Sequence, residues 1–117
     1  MKAEDSALYL GSGDLNVLGT PALAKYMEQV ARDFLNPYLP DDSLSTVGSS
    51  LHIEHTAAIL LDENINCTVK LVEFDEKKYI FEIKVTSGDK TLGTAKHARH
   101  LVNKKKFMSK LSRGTVG

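Results

Sequence analysis

One segment of helical periodicity, followed by a series of period-two segments, is what most constrains the fold of this chain. Leu23, Tyr26, Met27, Val30, Ala31, Phe34 and Leu35 recur at the spacing of a single amphipathic helix. Thr20 fits its N-cap and Pro21 its first turn, where no amide hydrogen is needed, so a helix is predicted over 21–35. Asn36, Pro37 and Leu39-Pro40-Asp41-Asp42 end it, because proline disfavours helical geometry in the residue before it. With roughly 100° per residue, the apolar stripe centres near Phe34, and Glu28 falls at or just beyond its edge. There it either borders a cleft or stands on a solvated face.

From residue 46 the pattern alternates. Val47, Leu51, Ile53 and His55 share one parity, as do Ile65, Cys67, Val69 and Leu71, and again Tyr79, Phe81, Ile83 and Val85. Strands are predicted over 46–56, 64–74, 79–86 and 91–103 in meander-like order, with polar turns at Asp75-Glu76-Lys77-Lys78 and Ser87-Gly88-Asp89-Lys90. Ser6–Leu10 can add an edge strand, and Lys104–Gly117 forms a basic tail in which Phe107, Met108 and Leu111 can make a brief amphipathic turn. The expected class is α+β: one helix wrapped by an antiparallel sheet. Unpaired sheet edges invite association, so at least a homodimer is expected.

The size agrees with a single domain over 1–117, with 42% hydrophobic residues to build its core. The longest apolar run, Ala57-Ala58-Ile59-Leu60-Leu61, is far below the roughly 18 residues a membrane span needs. Acidic residues enter at Met1-Lys2-Ala3-Glu4-Asp5, where a signal peptide would be apolar; a cytoplasmic protein without a membrane partner is expected. Cys67 has no second cysteine to pair with. The net charge of zero is a cancellation: residues 1–89 carry all 15 acidic groups and 7 basic ones, whereas residues 90–117 carry 8 basic groups and no acidic one. Such a segment can meet nucleic acid, a membrane surface or a phosphate-bearing small molecule, or be a solvated strand and tail. Phe107 is the sole aromatic residue after position 90, which leaves no stacking platform, so nucleic acid is not an expected partner.

Four histidines raise the question of a metal. His52 and His55 are three apart and point to opposite faces of a strand, as do His97 and His100, and no spacing matches a zinc or iron motif; no metal is expected. His55 shares the apolar face that should meet the helix, where an imidazole needs a partner or a use. It is either a satisfied core histidine or a catalytic one. Thr20 is a plain helix cap, or else a hydroxyl at a helix start whose amides and dipole can polarise a carbonyl. Gly48 marks a bulge or a close approach of backbone to another group. Gly11-Ser12-Gly13 lacks the Gly-Lys of a phosphate-binding loop and reads as an ordinary loop.

Gly11-Ser12-Gly13-Asp14, Val17-Leu18-Gly19-Thr20-Pro21-Ala22-Leu23 with Met27-Glu28, Thr46-Val47-Gly48, His55-Thr56-Ala57-Ala58, and Gly93 with His97-Ala98-Arg99 resemble, in this order and over about 8–107, the hot-dog thioesterases of the fluoroacetyl-CoA thioesterase-like group. The resemblance implies a hot-dog fold dimerising edge to edge, with a cleft shared by two subunits. It implies that Thr20, Glu28 and His55 are catalytic, that Gly48 contacts the acyl group and that Arg99 meets the substrate, with no cofactor. Thioester hydrolysis needs a nucleophile or activated water, a base and donors at the developing oxyanion, which these groups can supply. His55 would be the general base, Thr20 the nucleophile or a hydroxyl that positions the attack, and Glu28 an orienting group or itself the attacking one. Two departures bear on the substrate: Ile59-Leu60-Leu61-Asp62-Glu63 stands where the group commonly has Thr-Pro and a glycine, and Gly19 replaces the usual Ala or Ser. A short or medium acyl-CoA is the expected substrate class, and a non-catalytic module binding acyl-CoA or a related ligand is the alternative.

Overall fold

The computed structural model describes residues 1–114, and side chains through residue 112. A short helix α1 (Ala7–Leu10) precedes the long helix α2 (Thr20–Leu35); four strands follow, β1 (Leu44–His55), β2 (Asn66–Phe74), β3 (Lys78–Ser87) and β4 (Lys90–Asn103), and a last helix α3 (Lys104–Gly114). α2 forms where the periodicity places it, and it buries Ala22, Leu23, Met27, Ala31 and Leu35. Phe34, the expected centre of the stripe, lies at its border: partly exposed, its ring meets Phe81 edge-on at 5.8 Å. Against the buried stripe the sheet sets Phe81, Ile83 and Val85, alternate residues of β3, together with Leu92.

All four strands are antiparallel, in the order β1-β4-β3-β2. Only β2-β3-β4 is a meander. Its turns are short, one held by Asp75 Oδ1, which accepts from the amides of Lys77 and Lys78, the other by Gly88 in left-handed geometry at φ 56°. β1 instead lies beyond β4, because the connection from β1 to β2 is far longer than a hairpin loop and crosses the sheet. That crossing is pinned where Leu18 N–H donates to the carbonyl of buried Ile59 at 3.0 Å. β1 and β2 are therefore the two edges.

The pairing also corrects a parity. Gly48 faces Arg99 while Ser50 faces Ala98, so Ser49 is an extra residue in β1. The bulge turns Val47 to the face away from α2 and brings Thr46 and Gly48 onto the α2 face with Leu51, Ile53 and His55.

Two terminal segments differ from expectation. Ser6–Leu10 is not an edge strand: Ser6 caps α1 by accepting from Tyr9 N–H at 3.0 Å, and Gly11 closes the turn at φ 75°. Before it, Asp5 is buried and accepts from Lys2 N–H, Lys25 Nζ (2.8 Å) and the Tyr26 hydroxyl. Burial alone would raise its pKa, but these three donors hold it down at about 2, and burial together with Asp5 pushes the Tyr26 hydroxyl up to about 12. At the other end, the expected tail is helical over 104–114, with residues 115–117 outside the described part.

Candidate active site

The start of α2 and the end of β1 meet. Thr20 is the first residue of the helix and not its cap; Gly19 holds the cap position and makes no side-chain cap bond. Glycine fits closely there: a Cβ would sit 3.0 Å from Leu10 Cδ1 and 3.1 Å from the backbone of Ala7, so these neighbours would have to shift for a larger residue. The Thr20 hydroxyl is thus free for another partner and lies 2.8 Å from His55 Nδ1. His55 pairs with Gly93 of β4, where a Cβ would come within 3.0 Å of Leu23 Cδ2; the missing side chain lets α2 approach the sheet beside the imidazole. The other ring nitrogen, Nε2, is buried and has no hydrogen-bond partner among the described residues.

Glu28 belongs to a second cluster. It stands eight residues after Thr20, about 12 Å along the helix. A Cβ on Gly48 would lie 3.0 Å from Glu28 Oε1, 3.1 Å from His97 Cε1 and 3.5 Å from Arg99 Nη1, so the bare glycine backbone is what lets these groups converge. Arg99 is buried; its Nε donates to Thr46 Oγ1 and its Nη2 to the Thr46 carbonyl, each at 2.9 Å. Its Nη1 lies 3.2 Å from His97 Nε2. His97, fully buried, completes the chain of contacts through Nδ1, 2.7 Å from the Ser50 carbonyl. Nδ1 carries the hydrogen in this arrangement and Nε2 accepts from the guanidinium. Burial pushes the His97 pKa down, and the Arg99 charge adds to that, so the ring is neutral. Burial lowers the Arg99 pKa as well, while the charge of Glu28 opposes it.

Five site residues expected from the sequence thus fall into two groups: Thr20 with His55, and Glu28 with Gly48 and Arg99. Gly48 and His55 lie seven residues apart on β1, about 20 Å. His97 joins the second group without having been expected there. Its signal was present in the spacing His97-Ala98-Arg99, which puts the imidazole and the guanidinium on one face of a strand. His52 lies on the opposite face of the sheet, in one cross-strand row with Lys96, Glu82 and Lys70. These four line an open concavity of about 950 Å³ that includes none of the five residues. Among the described residues no group of three or more His, Cys, Asp or Glu could hold a metal, and no helix is long and apolar enough to cross a membrane.

The family model described as fluoroacetyl-CoA-specific thioesterase matches residues 1–105. No curated protein sequence gives a significant match. Among solved structures, the fluoroacetyl-CoA thioesterase FlK superposes with TM-score 0.88 at 18% identity, covering 97% of this chain and 87% of that one. A point mutant of FlK in complex with fluoroacetate and CoA gives 0.85 at 18% identity, with 92% and 90% covered. A thioesterase superfamily member from Thermus thermophilus gives 0.86 at 16% identity, with 98% and 85% covered. These structures share the long helix packed on an antiparallel sheet, and the sequence match extends over most of the chain. The protein belongs to the fluoroacetyl-CoA-specific thioesterase family and is a thioester hydrolase of hot-dog fold.

Proposed function

We propose that the protein hydrolyses a short or medium acyl-CoA in a site made by two copies of the chain, with Thr20 and His55 from one and Glu28, Gly48 and Arg99 from the other. The observation that carries this reading is the Thr20–His55 contact of 2.8 Å with a buried, unpartnered Nε2 behind it. For Nδ1 to take the threonine proton, Nε2 must bear the ring hydrogen and needs an acceptor. The same chain's Glu28 is too far along α2 to be that acceptor. β1 is an edge strand, and two such edges pairing antiparallel across a two-fold axis near His52 set His55 opposite the Gly48–Ser49 bulge of the partner strand. The partner subunit's Glu28 then faces the imidazole from across the cleft.

In that site Thr20 Oγ1 attacks the thioester carbonyl carbon as its proton passes to His55 Nδ1. The carbonyl oxygen becomes an oxyanion at the positive end of α2. Collapse breaks the carbon–sulfur bond, and the CoA thiolate leaves with the proton from His55. Water, activated by the same imidazole, then releases the acid from Thr20. The acyl group lies toward the partner subunit's Gly48, with the partner subunit's Arg99 and the partner subunit's His97 as its polar boundary. Thiol release measured over a panel of acyl-CoAs tests the reading: short or medium chains are hydrolysed, and His55→Ala lowers kcat by about 10²–10⁴-fold. Tight CoA-ester binding without turnover would instead mean a binding module.

A further inference from the structure

The charge asymmetry of the chain ends in α3. Three of its four lysines lie on one side: Lys105, Lys106 and Lys110, with Ser109, line one open cavity of about 500 Å³, whereas Phe107, Met108 and Leu111 lie on the opposite side of the helix together with Lys104. No acidic residue lies anywhere in 90–117, so nothing within that segment neutralises this face. The helix is fixed to the sheet at its start, where Lys104 N–H donates to the Ser43 carbonyl at 2.8 Å and Lys106 N–H to Asn103 Oδ1 at 3.1 Å. Since the family match ends at residue 105, nearly all of α3 is additional to what the family model describes.

We infer that the basic face of α3 holds the phosphate groups of a CoA thioester whose acyl end lies at Thr20 and His55 of the opposite subunit. This rests on the two-fold pairing of β1 proposed above. In that pairing His55 lies opposite residue 49 of the partner strand, and the partner's β1 begins at Leu44, five residues or about 16 Å beyond. The partner's α3 is bonded to the residue just before Leu44, which places its lysines outside the cleft on the His55 side. CoA has the matching order of groups: a thioester, an uncharged extended pantetheine arm, then a cluster of phosphates. Three lysines at that distance also attract the multiply charged ligand before it docks, an effect that salt weakens.

The test compares acyl-CoA with the same acyl group on pantetheine, which lacks the phosphates. In Lys105→Gln/Lys106→Gln/Lys110→Gln, the preference in kcat/KM for acyl-CoA over acyl-pantetheine falls about tenfold, through KM, and becomes less sensitive to salt. The corresponding triple arginine variant keeps the preference. An unchanged preference overturns the inference, as does an unchanged preference with lost binding to phosphatidylserine vesicles, which would make α3 a lipid-surface helix served by Met108 and Leu111. Should the wild-type protein hydrolyse neither substrate, calorimetry with free CoA decides separately: about tenfold weaker CoA binding by the glutamine variant sustains the phosphate site. Equal binding, or none by the wild-type protein, removes it.

Discussion

The two clusters on the α2 face of the sheet are built to different degrees of completion. Around Arg99 each guanidinium nitrogen has a protein partner: Thr46 takes two of the bonds, His97 faces the third nitrogen, and the far side of His97 ends on the Ser50 carbonyl. Around His55 the arrangement stops halfway, with an exposed threonine on one nitrogen and, among the described residues, nothing on the other. A buried polar atom without a partner is destabilising unless something supplies that partner. The first cluster is a rigid wall that one chain finishes by itself. The second is left unfinished within one chain, and in the proposed shared site a neighbouring copy would supply the missing acceptor.

That contrast ranks the expected effects of substitution. Largest is the loss of the proposed base: His55→Ala should reduce kcat by about 10²–10⁴-fold while leaving the Arg99 cluster and the fold intact. Thr20→Ala should fall in the same range if the hydroxyl is the nucleophile; a variant with nearly full activity would return Thr20 to a purely structural role. Next is Gly48→Ala. Its new methyl group would press on Glu28 Oε1 and His97 Cε1 at 3.0 and 3.1 Å, and overpacking of this kind costs about 1–3 kcal/mol. Both stability, read by denaturant unfolding, and KM should worsen, whereas damage to the His55 cluster should show in kcat alone.

Smallest for catalysis, but measurable for stability, is Asp5→Asn, which touches neither cluster. Asp5 titrates at about 2 in the folded chain against an ordinary 3.8, so the folded state favours its ionised form. Its contribution, on the order of 2 kcal/mol, is complete above about pH 4 and is lost as the pH falls toward 2. The asparagine variant should therefore be weaker by that amount at pH 7 and show a flatter acid limb, with activity at pH 7 unchanged. Equal stability of the two proteins at pH 7 would mean that Asp5 does not anchor the N-terminal segment to α2.

The parts legible in the sequence were those governed by local periodicity. Leu23, Met27 and Ala31 announce α2, and Phe81, Ile83 and Val85 announce β3, because burial on one face imposes a period that any window of residues displays. What depended on distant partners was not legible. Gly48 marks a bulge or a close approach in the sequence, but that Ser49 is the extra residue, and that Val47 is thereby turned to the other face, shows only once β1 is set against β4. Ser6 could begin a strand or cap a helix, and the cap prevailed because Gly11 supplies the left-handed turn that closes four residues of helix. Thr20 reads as a cap in sequence because the residue before it is a glycine with no capping side chain. Only the packing of Ala7 and Leu10 against Gly19 shows why glycine holds that place. Of the candidate site, each residue type could be picked out by motif, but not its grouping. The separation of Glu28 from Thr20 follows from helix rise, and the grouping of Glu28 with His97 and Arg99 needs the sheet order.

Subunit complementation tests the shared site most directly. Thr20→Ala and Glu28→Gln proteins should each be nearly inactive alone. Co-refolded in equal amounts, half of the dimers contain one chain of each kind, and in these one of the two sites has a native Thr20 and His55 facing a native Glu28 from the partner subunit. The mixture should therefore recover about a quarter of wild-type activity. If each site drew Thr20, His55 and Glu28 from the same chain, no mixed dimer would contain an intact site, and a mixture as inactive as its components would contradict the account.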